Sequence, residues 1–295
     1  MPRDILFLID ERHIEVTEMT ALNKEYQKLA VVLNKIIKSE IPLESSSDLW
    51  NAKVRDGITL TGLLWGEDRD KLDRDLNILL SQVLDRINFI DNRIAEQYAI
   101  EQLKQHHAVA LVVSPMYEKT EELTHNDLYL HYIGTEDALA KFHQAVPVYA
   151  RYSEDEFKEH LPYAFPRLFF SEKLDIGKFD EKYPAIREKL TNALAYLNDR
   201  FYDALHEYGN QTDKIEQDFK ARCRGVGGIG QEAAKTMQVY GRQREILAKG
   251  KSVVCEWHIK LRPHIDRVHF AYEEKYKNIA GGKIIVGIFV RHLDV

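Results

Sequence analysis

The sequence predicts an α+β protein: a mixed sheet with long amphipathic helices, followed by a small three-stranded antiparallel meander packed on a helix. Three observations predict it. Apolar runs such as 5–9 and 108–113 have the length of strands, apolar residues recur every three or four positions over 20–39, 69–105 and 179–219, and strand-like runs separated by turn residues close the chain from 253 onward.

In order, Ile5 to Ile9 reads as a buried strand, and Ile14 and Val16, after the polar break Asp10-Glu11-Arg12, suggest a hairpin mate. Leu22, Tyr26, Leu29, Leu33 and Ile36 then form the stripe of a helix over 20–39, with Thr20 as its candidate N-cap. Serine-rich 42–48 reads as a loop, and 57–65 as a short strand. From Leu72 to Ile94 the helical period continues without a break, which predicts one long helix over 69–105, either the spine of a domain or the seam of a homo-oligomer. Strands are expected at 108–113, 128–133, 146–152 and 167–170, with helices at 135–144 and 153–160, the latter opened by the capping-box pattern Ser153-Glu154-Asp155-Glu156. A helical tract follows over 179–219, broken near Pro184 and Gly209. The glycine cluster Gly225-Val226-Gly227-Gly228-Ile229-Gly230 reads as a hinge or capping loop before a helix reaching Lys249, and strands at 253–261, 265–272 and 283–293 complete the meander.

Composition bounds the functional classes. The chain has 295 residues, 44% apolar and 30% charged, with 41 Lys and Arg against 47 Asp and Glu, a net charge of 41 − 47 = −6; this is the range of soluble globular proteins. No apolar run approaches the ~20 residues of a membrane helix. The opening residues run directly into a strand, so no secretory leader is expected, and two cysteines, Cys223 and Cys255, are too few for a disulfide framework; a cytoplasmic location follows as the expectation. The charge is unevenly spread. The first 218 residues hold 26 Lys and Arg against 40 Asp and Glu (−14), and residues 219–295 hold 15 against 7 (+8), which suggests an acidic helix-rich domain, 1–218, carrying a basic module, 219–295.

The basic module is where chemistry is expected. With period two, Glu256, His258, Lys260 and Arg262 share one strand face, Arg267 and His269 share a face of the next, and Arg291 and His292 end the last. Antiparallel pairing brings such residues side by side, and cations crowded without equal acid call for an anionic ligand or open solvent. His258, His264, His269 and His292 are candidate acids and bases, and Arg262, Arg267 and Arg291 candidate phosphate contacts, giving seven candidate catalytic residues. Lys220, Arg222, Arg224, Lys260 and Lys283 are candidate nucleic-acid contacts. The competing reading is a solvated sheet face whose charges blunt aggregation. The glycine cluster lacks the preceding strand of a dinucleotide fingerprint and the Gly-Lys-Ser/Thr of a P-loop, no Gly-x-Ser-x-Gly elbow occurs, and no His or Cys spacing announces zinc, so neither cofactor nor metal is expected. Glu256 and Lys260 only loosely follow the Glu-x-Lys step of metal-dependent nucleases.

The helix leading to Lys249, the runs Lys260-Leu261-Arg262-Pro263-His264 and Arg267-Val268-His269-Phe270, and the closing run from Gly281-Gly282-Lys283 to Arg291-His292 resemble the core of RelE, HigB and ParE-type toxins, over residues 229–295. The resemblance implies helices on a small antiparallel sheet and mRNA cleavage on the ribosome by basic residues without metal. Arg262 and Arg267 would match the strand-end arginines, and Arg291 and His292 the basic position near the end of the last strand. The resulting expectation is a toxin-like or phage-defence effector whose basic module binds RNA and could cleave it; the alternatives are a metal-dependent nuclease and a non-catalytic, oligomeric scaffold protein that docks an acidic protein partner.

Overall fold

A strand that is apolar on both faces belongs in the middle of a covered sheet, and β1 (Ile5–Ile9), every residue of it buried, occupies that position. It lies in a computed structural model that describes residues 5–90, 94–105, 108–119, 121–123, 129–172, 174–209, 211–272 and 276–293. The chain divides into two units, Met1–Ala150 and Arg151–Val295.

In the first unit β1 is followed by α1 (Leu22–Lys38), β2 (Leu43–Ser46), a small hairpin of β3 (Lys53–Arg55) and β4 (Ile58–Thr59), α2 (Leu60–Trp65), α3 (Arg74–Leu84), β5 (Asn88–Ile90), α4 (Ala95–Lys104), β6 (Ala108–Val112), β7 (Glu121–Leu123), β8 (Tyr129–Ile133) and α5 (Glu136–Tyr149). The sheet order is β5-β2-β1-β6-β8-β7, parallel except for β7. The chain builds outward from β1 through β2 to β5, then returns to the other side of β1 with β6. Against one face packs α4, through Ala95, Ala99 and Leu103 on Leu6, Leu8, Val109 and Leu111; against the other packs α5, where Phe142 meets Phe7 edge-on at 5.3 Å.

Four expectations are corrected here. The hairpin mate of β1 does not form; Ile14 and Val16 are buried in a connection, and the partners of β1 are the parallel strands β2 and β6. The serine-rich stretch is strand β2, with Ser45 and Ser46 buried, because parallel pairing on both sides supplies what side-chain propensity does not. The helix over 69–105 is two helices, α3 and α4, with the edge strand β5 between them; a three-residue strand is too short to interrupt a helical period in sequence. The strand at 146–152 is instead the last turn of α5, whose N-cap Thr135 accepts from Ala138 N (3.2 Å) and whose Leu139, Phe142 and Val146 line its buried side.

The second unit contains α6 (Glu154–Ala164), β9 (Leu168–Phe170), α7 (Tyr183–Asp199), α8 (Phe201–Tyr208), α9 (Thr212–Arg222), β10 (Gly228–Gln231), α10 (Ala234–Tyr240), β11 (Glu245–Ala248), β12 (Lys251–Val254), β13 (Trp257–Arg262), β14 (Ile265–Ala271), α11 (Lys277–Ala280) and β15 (Ile284–Val290). The capping box at Ser153 and Glu156 forms as read, Pro184 sits in the first turn of α7, and Gly209 ends α8 in the left-handed conformation (φ 55°). Its sheet runs β10-β13-β14-β15-β9, with β13-β14-β15 the expected antiparallel meander. Two flanking strands were not expected to join it. The glycine cluster contributes β10, antiparallel to β13, and residues 168–170 contribute β9, parallel to β15. The helix expected up to Lys249 ends at Tyr240, and residues 245–254 form the β11–β12 hairpin.

One face of this sheet is apolar and rests on α8, where Phe201 meets Trp257 and Phe270 edge-on at 5.2 and 5.0 Å. Part of the other face lies under the β11–β12 hairpin: Ala248, Val253 and Cys255 pack with Ala271 and Ile285. Gly287 is required there for space, since a Cβ would stand 2.4 Å from Cys255 Sγ and 2.9 Å from Ile246.

The charge boundary at 218/219 therefore falls inside the second unit. Taken over residues 151–295 the balance is 25 Lys and Arg against 22 Asp and Glu, only +3, and acids from the earlier segment neutralise the later one: Asp180 and Glu181 pair with Arg262, and Asp218 with Arg222. Among the described residues no helix is long and apolar enough to cross a membrane.

Candidate active site on the second sheet

The rest of the polar face carries a cluster of five side chains from four segments. His258 on β13 and His269 on β14 are directly paired in the antiparallel register, and their ring centroids are 5.6 Å apart. Arg267, two residues before His269, shares its face and pairs with Lys260. Glu232 follows the end of β10, its backbone N donating to Glu256 O (2.8 Å), and Arg244 arrives from the 3-10 turn after α10. Arg244 Nη2 donates to Glu232 Oε1 (3.1 Å), and His258 Nδ1 lies 3.1 Å from the same oxygen without the alignment of a hydrogen bond.

Burial makes this cluster unusual. Arg244 and His269 are fully buried, and Arg267 and His258 are 6% and 7% exposed. Burial alone would raise the Glu232 carboxyl, but the His258 imidazole and the Arg244 guanidinium outweigh it and hold the group down to about 2. His269 titrates well below the usual histidine range because of burial, reinforced by His258 and the two guanidiniums, so it is neutral at pH 7. Burial also lowers Arg267. Several polar atoms remain without hydrogen-bond partners: Arg267 Nε and Nη1, His258 Nε2, and both ring nitrogens of His269, one a donor and one an acceptor in the neutral ring. Buried polar atoms of this kind normally cost about 1–3 kcal/mol each, so a group of them on one face is where a bound polar molecule, water or ligand, would complete the bonding.

The edge-strand flank of His258 is open. Gly230 is the register partner of His258 on the edge strand β10, and a Cβ built on it meets nothing within 4 Å. The donor set favours an anion. Two guanidiniums and two imidazoles face one carboxylate, which Arg244 already engages. Glu232, His258 and His269 do bring one ligand atom each to within 4.8 Å of one another, a grouping that could hold a metal ion, but the adjacent Arg244 and Arg267 oppose a dication electrostatically.

The structure thus gathers three of the seven expected catalytic residues, His258, Arg267 and His269, and disperses the other four. Arg262 is ion-paired: Nε donates to Asp266 Oδ2 (2.7 Å), Nη1 to Glu181 Oε2 and Nη2 to Asp180 Oδ2 (both 3.0 Å). Arg291 Nε is 3.2 Å from Asp180 Oδ1, so the acids of residues 180–181 supply the counter-charge that the strand pattern alone did not show. His264 is exposed in the β13–β14 turn with φ 67°, and His292 is exposed after β15. Of the expected nucleic-acid contacts, Lys220 pairs with Glu216 (2.8 Å) and Arg222 with Asp218 (3.1 Å); Arg224 and Lys283 are exposed, and Lys260 is half-buried beside Arg267. Glu232 and Arg244 were not singled out in sequence. Glu232 follows the glycine cluster closely enough to have been a candidate once that cluster is read as a strand, whereas nothing local distinguishes Arg244. No family model matches the chain, and no curated protein or solved structure matches it either.

Proposed function

We propose that the second unit is a metal-independent ribonuclease of the toxin-like or defence-effector kind, with His258, His269, Arg267, Arg244 and Glu232 as its active site. The observation that carries the proposal is the strand-paired couple His258 and His269 beside the buried guanidiniums of Arg244 and Arg267, with donors of Arg267 left over. Cleavage of RNA without metal needs a base for the 2′-hydroxyl, an acid for the departing 5′-oxygen and cations for the charge that builds on phosphorus. His269, neutral at pH 7, takes the 2′-hydroxyl proton; the 2′-oxygen attacks phosphorus; His258, beside the Glu232 carboxylate, gives a proton to the 5′-oxygen as the P–O5′ bond breaks. The products are a 2′,3′-cyclic phosphate and a 5′-hydroxyl end, and Arg267 binds the phosphate oxygens throughout. Substrate reaches the cluster when α10 (Ala234–Tyr240) moves while Arg244 stays paired with Glu232. That motion sacrifices little, because α10 contributes no buried side chain.

The test uses the full chain on a 5′-labelled single-stranded RNA, free and on ribosomes programmed with mRNA, in excess EDTA. The expected result is cleavage leaving a cyclic phosphate, reduced by roughly 10²-fold or more in His258→Asn and His269→Asn and unchanged in Arg291→Ala. Intact RNA in both settings, cleavage of the matching DNA, or cleavage undiminished in His269→Asn each overturns the proposal. Activity lost in EDTA and restored by Zn²⁺ or Mn²⁺ would instead assign Glu232, His258 and His269 to a metal.

A further inference from the structure

The first unit has a second candidate site, at a place that its topology singles out. Its parallel strands run in the order β5-β2-β1-β6-β8, and the direction of winding reverses between β1 and β6. In open α/β sheets the crevice outside the carboxyl ends of the two strands at such a reversal is the usual place for a ligand.

Here that crevice is built and rigid. Asp10, fully buried after β1, donates its backbone N–H to Val112 O (3.0 Å), and Ser114 after β6 donates its own to His13 O (2.6 Å), so the two loops are laced together. Above them is a cavity of about 200 Å³ lined by Arg12, His13, Glu15, Ser114, Met116 and Tyr117. One wall is aromatic: His13 lies against Tyr117 with ring centroids 4.6 Å apart and ring planes tilted by 37°, and Met116, 51% exposed, stands at the rim. The polar groups are fixed in place. Arg12 Nε and Nη2 donate to Asp10 (3.0 and 3.1 Å), and Nη2 also to Glu96 (2.9 Å), yet its side chain stays 39% exposed.

The electrostatics select the ligand class. The one guanidinium is matched by two carboxylates, and Glu15 adds a further negative charge at the cavity. In dinucleotide-binding folds the amides of the first strand-to-helix turn hold the phosphates. In this chain that turn is Asp10-Glu11-Arg12-His13, and the Asp10 carboxylate already takes Arg12 N (3.2 Å). A phosphate would meet repulsion and find its amide occupied. A flat heteroaromatic ring finds the Met116 and His13–Tyr117 wall, and sugar hydroxyls find a carboxylate acceptor in Glu15 and a positioned donor in Arg12.

We infer that the crevice at the carboxyl ends of β1 and β6 binds an unphosphorylated nucleoside. Calorimetry on the full chain with the four ribonucleosides, their 5′-monophosphates and D-ribose tests this. At least one nucleoside should bind at one site per chain, with its monophosphate at least about tenfold weaker from like-charge repulsion and ribose alone undetected. Met116→Ala and Glu15→Gln alter exposed side chains and should each weaken the nucleoside by roughly fivefold, the worth of one contact or hydrogen bond. The inference is overturned if no nucleoside binds, if a monophosphate binds as tightly as its nucleoside, or if both variants bind as the parent does.

Discussion

In the first unit the charged side chains stand beyond the end of a parallel sheet whose central strands are apolar on both faces; in the second they stand on a face of an antiparallel sheet, in the middle of its strands. The first arrangement leaves Arg12 39% exposed and pairs it with Asp10 and Glu96. The second buries Arg244 completely and Arg267 almost so, with one carboxylate between them. At the strand end only Asp10 is fully buried and its guanidinium partner stays in contact with water, whereas the mid-sheet site removes both guanidiniums and their carboxylate from water and is held together by its internal pairs. The two should therefore respond very differently to loss of an acid.

Glu232→Leu gives the largest expected effect. It leaves two buried guanidiniums without their counter-charge, and urea unfolding should show a loss of about 3–5 kcal/mol, most of it recovered in Glu232→Leu with Arg244→Met. If the single variant is as stable as the parent, the cluster is more hydrated than its burial indicates. Acid should act next. His269 is neutral when folded and its pKa is lowered, so below the unfolded value near 6.5 the unfolded chain binds the proton that the folded one refuses, and stability falls with falling pH by about 1.4 kcal/mol per unit. Glu232, held down to about 2, stays ionised through this window. Stability measured between pH 6.5 and 5 should therefore fall less steeply in His269→Asn by that amount. The first unit has its own counterpart in His131, lowered to about 4 by burial, whose replacement by Asn should flatten the same window.

Two smaller effects sharpen the contrast. Gly287→Ala forces a methyl onto Cys255 Sγ and should cost about 1–3 kcal/mol, while Gly230→Ala, over open space, should leave stability within about 1 kcal/mol and yet put a methyl into the open space beside His258. Thermal melts of the two variants, with RNA cleavage as a second readout, separate these outcomes. Glu96→Gln should be the mildest. It removes half of an exposed pairing on Arg12, with 39% and 37% side-chain exposure, and a change above about 1 kcal/mol in urea unfolding would show that the strand-end site depends on its ion pairs as the mid-sheet site does.

Much of the fold was legible where burial is written locally. The strands β1 and β6, the helices α1, α6 and α7, and the meander of β13, β14 and β15 follow from apolar spacing, caps and turn residues close to one another in the chain. The strands β2, β5 and β10 were not legible. In β2 and β10, Ser45, Ser46, Gly228 and Gly230 have weak strand preference and are extended because a neighbouring strand supplies the hydrogen bonds, and β5 is only three residues long. In the site, His258, Arg267 and His269 were readable because alternation places them on one strand face each and pairing joins the faces. Arg262 and Arg291 looked equivalent by the same alternation, and only the acids at 180 and 181, brought in from the loop before α7, distinguish them.

Composition and patterning were thus sufficient for the α+β class, for strands and helices with their own apolar period, and for a cationic, histidine-bearing face on the final meander. Contacts between distant segments settled the rest. They moved the unit boundary from the charge change at 218/219 to 150/151, cancelled most of the basic excess with acids from 180 to 218, and set Glu232 and Arg244 against His258 and His269. The reason is physical. Propensity and periodicity act over a few residues, but charge compensation and strand pairing act across space, and the chain that supplies an arginine's counter-ion need not be near it in sequence.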